Sequence, residues 1–127
     1  MQQSEFSTPE QMAATVARMF FSITTQWGIT DAMVAKLLNV SHLKVASFKR
    51  FSAYFTQEQM IIAGQLLSIY NDLTLILNEK VGDKGKRTGN WINNFVLEDG
   101  KRPRTLLLNP SDLGKLREIV QSLKNKS

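Results

Sequence analysis

Ser41, His42, Lys44, Ser47, Lys49 and Arg50 gather hydroxyls, one imidazole and cations in a single short stretch. Groups of this kind reach phosphates and base edges when a helix holds them on one outer face. The residues around them have the spacing that a helix-turn-helix needs. Val34, Leu38, Val45 and Phe48 form a shared core, and Val40 packs from the turn. Ala35 must be small because the second helix crosses close to it. Ser41, His42, Lys44, Ser47 and Arg50 then face outward, while Leu43 and Ala46 are bland for a reading surface. Between Asp31 and Glu58 the sequence has no acid, and Lys36, Lys44, Lys49 and Arg50 give a local charge of +4. That field favours the approach of phosphates. The alternative for this stretch is an ordinary helical hairpin with a solvated face.

Other chemistry is poorly supplied. The chain has no cysteine, which removes thiol nucleophiles, disulfides and cysteine-rich zinc sites. A single histidine leaves no set for His-based metal binding or a Ser-His-Asp triad. Glu98 and Asp99 stand beside Gly100, where acids act as turn formers. An enzyme is not expected, and neither a metal nor a cofactor is called for. Gly85-Lys86-Arg87-Thr88 shares part of a phosphate-loop pattern, but position 80 is Lys where glycine is required, and no strand precedes it. With Gly82-Asp83-Lys84-Gly85 it reads as flexible basic loop. Lys101-Arg102-Pro103-Arg104 is a compact basic cluster, suited to contact with an acidic or phosphate-binding pocket.

The elements that must position these groups are helical, and no convincing period-2 alternation is present. Thr8, Pro9 and Gln11 open a first helix through Gln26, with Met12, Val16, Met19, Phe20, Ile23 and Trp27 on its apolar face. A second helix runs from Thr30 and Asp31 to Leu38, and Ser41 caps a third to about Phe51. Thr56 to Gln59 is another capping box, opening a fourth helix to about Asn78. That helix is apolar on more than one face, which predicts burial on two sides or a homodimer interface. Lys80–Asn90 reads as a loop, or as a short glycine-weakened helix that firms up near Trp91 and Ile92. Pro103–Leu108 is a short helix broken by Asn109-Pro110, and Asp112–Lys124 is the last amphipathic helix. The expected fold is all-α. An N-terminal helix-turn-helix region with the long connecting helix spans 1–79, and a second helical region spans 80–127.

Charge divides along the same line. The chain of 127 residues has a net charge of +5. Residues 1–79 hold five Lys and Arg against six Asp and Glu, whereas 80–127 hold eleven against five. The basic excess therefore lies in the C-terminal part. No basic run precedes an apolar stretch in residues 1–8, and Met60–Leu77 is too interrupted by polar residues to span a bilayer. A soluble, cytoplasmic protein without a membrane partner is expected.

The order of features is itself informative. Trp27-Gly28-Ile29 precedes the helix-turn-helix spacing, and Gln59 and Leu66-Leu67-Ser68-Ile69-Tyr70 follow on the long helix. Trp91-Ile92-Asn93-Asn94, Gly100-Lys101-Arg102-Pro103 and the Asp112-Leu113 helix complete the set. Over residues 15 to 124 this series resembles the Xre/MbcA/ParS family of bacterial antitoxins. The resemblance implies an N-terminal helix-turn-helix half and a C-terminal toxin-binding half. It implies a RES-domain toxin as partner, an enzyme that destroys NAD, with access to its active site blocked by the C-terminal half. It further implies dimers, and operator DNA as a second partner for autorepression. Trp91, Asn93 and Asn94 match the family's Trp-plus-Asn segment, and Gly100, Arg102 and Pro103 match its Gly-Arg-x-Pro-like loop. Lys101 and Arg104 complete the expected toxin-binding set. Phe95 stands where the family often turns through Pro or Asn, and Phe48 where it commonly has Trp.

Overall fold

The computed structural model describes residues 8–126, so the N-terminal stretch read above for a signal lies, up to Ser7, outside the described residues. Seven α-helices and no strand occur among the described residues. They are α1 (Pro9–Gln26), α2 (Asp31–Leu38), α3 (His42–Lys49), α4 (Gln57–Ile76), α5 (Lys86–Asn94), α6 (Pro103–Leu107) and α7 (Pro110–Lys126). A 3₁₀ turn, Val81–Asp83, leads into α5.

Local chemistry starts and stops these helices. Thr8 and Gln11 form a reciprocal capping box at α1, and Thr56 and Gln59 form another at α4. Gln59 is buried and also donates from Nε2 to the Leu38 carbonyl at 3.4 Å, which gives the end of α2 a partner. Thr30 and Ser41 cap α2 and α3. Asn39 ends α2 at φ 57°, a left-handed position that lets the next helix start after two residues. The last helix begins at Pro110, not Asp112. Asn109 accepts from the Ser111 amide at 3.1 Å, and proline fits a first turn that needs no amide donor. Asn109-Pro110 thus ends one helix and opens the next.

One core unites the chain. Phe20, Leu37, Val45 and Phe48 from the first three helices belong to the same buried cluster as Leu66, Leu73, Ile92, Leu107, Leu113 and Val120. Helix α4 runs through its centre, packed against α1 on one side and α7 on the other, with α5 near its end. This placement buries Ala63, Leu66, Ile69 and Leu73 of α4 within a single chain and leaves Ile61 and Leu75 exposed. It also means that the 79/80 division passes through a common core. On α1 the packed face differs from the expected one. Ala13, Ala17, Phe20 and Phe21 point inward, while Met12 and Met19 are exposed. Alanine is small enough to be covered at these two positions, where methionine would need more room. Phe48 meets Phe55 edge-on at 4.8 Å, and Phe20 meets the same ring at 5.7 Å, so Phe48 is part of an aromatic cluster.

Asn39 is a direct test of the tight α2–α3 connection. Asn39→Val should destabilise the protein by about 1–2 kcal/mol, because a branched side chain resists the left-handed region. Asn39→Gly should be neutral or slightly stabilising. Urea midpoints of the two variants against the native chain check both signs.

Candidate functional site

Two exposed regions contain the residues singled out above, and a buried polar network ties their supports together. The network starts at Trp27, in the turn after α1. Its indole Nε1 donates to Thr88 Oγ1 at 2.9 Å, and that hydroxyl donates to Glu79 Oε2 at 3.0 Å. The other carboxylate oxygen, Glu79 Oε1, accepts from the backbone amides of Arg87 at 2.7 Å and Thr88 at 3.0 Å. Those amides belong to the first turn of α5 and have no partner inside their own helix. Glu79 is therefore an anionic cap supplied from the end of α4, favoured by the positive end of the α5 dipole. Both Glu79 and Thr88 are buried.

This arrangement changes the meaning of the basic glycine stretch. Of the loop and the short helix expected here, the helix is present, and it is defined from Lys86 to Asn94 instead of firming up only near Trp91. A side chain at Gly85 would come within 2.5 Å of Gln26 Oε1, and φ there is 77°. A side chain at Gly89 would meet the Trp27 ring at 3.4 Å. The two glycines let α5 press against the end of α1. The partial phosphate-loop pattern does hold an anion at a helix start, but that anion is the chain's own carboxylate.

The expected toxin-binding residues divide into inward and outward groups. Asn93 Nδ2 donates to the Trp27 carbonyl at 3.0 Å and to the Gly89 carbonyl at 2.9 Å. Its Oδ1 accepts from Arg104 Nη1. Arg104 Nη2 lies 3.0 Å from Met33 Sδ and 3.5 Å from the Gly28 carbonyl. Asn93 and Arg104 thus fasten α5 and α6 to the α1–α2 turn. Pro103 is buried at the start of α6. Gly100 turns the preceding loop at φ 86°, its amide bonded to the Leu97 carbonyl. Lys101 and Arg102 remain exposed. Trp91 is mostly buried, yet its ring stacks on Phe95 at 5.2 Å, and Phe95 is 45% exposed. Trp91, Asn94 and Phe95 line a shallow groove of about 500 Å³ with Leu77, Arg87 and Asn90. Asn94 holds only a bond to Asn90 there, at 2.9 Å.

The other region is α3. Val45 and Phe48 point into the core. Helical spacing puts Leu43, Ala46, Ser47 and Arg50 on the opposite side, with His42 and Lys44 at the flanks. Ser41 is exposed but used as the cap, its Oγ accepting from the Lys44 amide at 3.1 Å. Lys49 lies toward the body of the protein. Its ammonium pairs with Asp31 at 2.7 Å and sits over the Phe21 ring at 5.4 Å. The local field therefore loses one cation to the one nearby acid, and Lys36, Lys44 and Arg50 remain. Among the described residues no group of three or more His, Cys, Asp and Glu could hold a metal ion, and no described helix is long and apolar enough to cross a membrane.

No protein-family model, curated protein or solved structure matches this chain.

The buried network gives a quantitative test. Thr88→Val keeps the shape and removes the hydroxyl, leaving the indole N–H without an acceptor and Glu79 Oε2 without a donor. The loss should be about 1–3 kcal/mol, near the upper end because one of the stranded atoms is charged. Denaturant unfolding followed by Trp27 fluorescence measures it.

Proposed function

We propose that the chain is an antitoxin whose C-terminal surface occludes the active site of a RES-domain toxin. One observation carries this reading: an exposed groove at α5 sits in the part of the chain with the basic excess. Phe95, the Trp91 edge and Leu77 supply apolar contact, and Arg87 and Asn94 supply polar contact. Exposed Lys101 and Arg102 lie in the following loop, at the positions where the family resemblance expects partner contact. Aromatic and arginine side chains at a partly apolar surface are the residue types that dominate protein–protein binding. The reading differs in detail from the sequence expectation. Asn93, Pro103 and Arg104 act by holding the surface in place, and Asn94, Phe95, Lys101 and Arg102 meet the partner.

Duplex DNA is a second partner in this proposal. We read α2 and α3 as a helix-turn-helix, a reading supported by their short connection and by buried Val34, Leu38, Val45 and Phe48. The exposed cations Lys36, Lys44 and Arg50 complement phosphates. Operator binding would let the antitoxin repress its own promoter. A homodimer would match a two-fold operator, and the oligomeric state is open to sedimentation at micromolar concentration.

Deleting residues 80–127 would remove much of the core, so point changes are the better test. Phe95→Asp changes a half-exposed ring stacked on Trp91 and Arg102→Glu an exposed cation, and each should weaken binding of the RES-domain toxin by roughly thirtyfold or more if it is a central contact. Cells expressing the toxin with the double variant should die, while the variant keeps the native thermal midpoint. Full protection by a folded double variant would overturn the toxin-binding assignment.

For the duplex, Lys44→Ala with Arg50→Ala should lower affinity for all sequences. The slope of log K against log salt should fall by about 2, near one unit for each lost phosphate contact. An unchanged slope removes both residues from the interface.

A further inference from the structure

The centre of the outer face of α3 is apolar, against expectation for a surface surrounded by cations. Leu43 is 81% exposed, on the second residue of the helix. Ala46 follows it by three positions on the same side. The polar neighbours are largely engaged elsewhere. Ser47 Oγ donates to the Leu43 carbonyl at 3.1 Å, within the helix itself. Lys44 leans toward the Phe48 ring at 6.0 Å, and Lys49 is held by Asp31. The face therefore combines a positive rim with an apolar centre.

A second copy of this chain fits such a face poorly, because a two-fold contact would set Lys44 and Arg50 against the same cations. A DNA duplex fits both parts. Its phosphates complement the rim, and the thymine C5-methyl is the apolar group that base pairs present in the major groove. In helix-turn-helix docking the first residues of the second helix are the ones that reach base edges.

We propose that Leu43 is a specificity-determining residue that reads thymine methyl groups in the major groove, with Ala46 leaving room for them. This rests on the duplex-binding reading above. Arg50, Lys44 and Lys36 position the helix on the backbone, and Leu43 selects the sequence. The operator should therefore contain thymines at one or two fixed positions in each site.

The experiment starts from the duplex that the full chain selects out of a random-sequence library. Each thymine of that duplex is replaced in turn by uracil, which deletes only the methyl group, and affinity is measured at fixed salt for the native chain and for Leu43→Ala. The native chain should lose about fourfold at one or two positions, the worth of one buried methyl group. Leu43→Ala should bind the thymine and uracil versions equally at those positions. Its fold is checked by an unchanged thermal midpoint, which the exposure of Leu43 leads one to expect. If uracil weakens both proteins alike, or neither, Leu43 is not the reader, although duplex binding itself stands. If Leu43→Ala keeps full affinity for the selected duplex, the proposal likewise fails. If no sequence is selected above non-specific binding, the duplex reading falls and this inference falls with it.

Discussion

The buried contact between Trp27, Thr88 and Glu79 is the constraint on which the arrangement depends. Helix α5 begins at exposed Lys86 and Arg87 but buries Thr88 within its first turn, where the amide needs an acceptor from the chain itself. The Glu79 carboxylate is placed to bond that amide and the one before it. Thr88 links that carboxylate to the indole of Trp27, 61 positions away in sequence. Once Trp27 is fixed, its carbonyl is available to Asn93, and Asn93 in turn receives Arg104. A chain of polar contacts thus runs from the end of α4, through α5, to the α1–α2 turn and α6. The close approach it requires explains Gly85 and Gly89 better than loop flexibility does.

The two outward faces have different supports. The groove at α5 owes its floor to Trp91, which can stack on Phe95 because α5 is held at both ends. The outer face of α3 owes its position to Phe48 in the aromatic cluster and to Lys49 on Asp31. Arg104 is the nearest thing to a direct connection between them, since it touches α5 through Asn93 and α2 through Met33. One buried cluster includes residues from both sides of position 79.

Much of the helical pattern could be read from the sequence because it is governed by local rules. Thr8, Thr30, Ser41 and Thr56 cap as their positions suggest, and Val34, Leu38, Val45 and Phe48 share the core that their spacing implies. Packing between distant segments was less legible. Spacing alone places Met12 and Met19 beside Phe20 on α1, and only packing against the other helices decides that Ala13 and Ala17 are covered instead. Arg104 reads as part of an exposed basic run with Lys101 and Arg102, yet α6 turns it inward toward acceptors more than 70 residues earlier, such as Gly28. Glu79 carried no local signal at all. Its role depends on where α5 starts, and glycines next to lysines hide that start.

Buried charges are often replaceable by apolar groups without loss, because desolvation offsets much of the attraction. Glu79 belongs to a different case. Its partners are two backbone amides and a hydroxyl that itself receives an indole proton, and the amides remain whatever side chain stands at position 79. An apolar replacement would leave the buried Thr88 amide without its acceptor, so the anion is required by the backbone and not by another charge. The same fact separates the basic residues near it by role. The helix start between Lys84 and Thr88 has its anion already, which removes the positive charge of that segment from any phosphate-binding role at the helix end. What remains free to attract a partner is the side-chain charge displayed outward, on Lys84, Lys86, Lys101 and Arg102. The basic charge displayed around α5 is therefore a surface property and not the lining of a buried anion site.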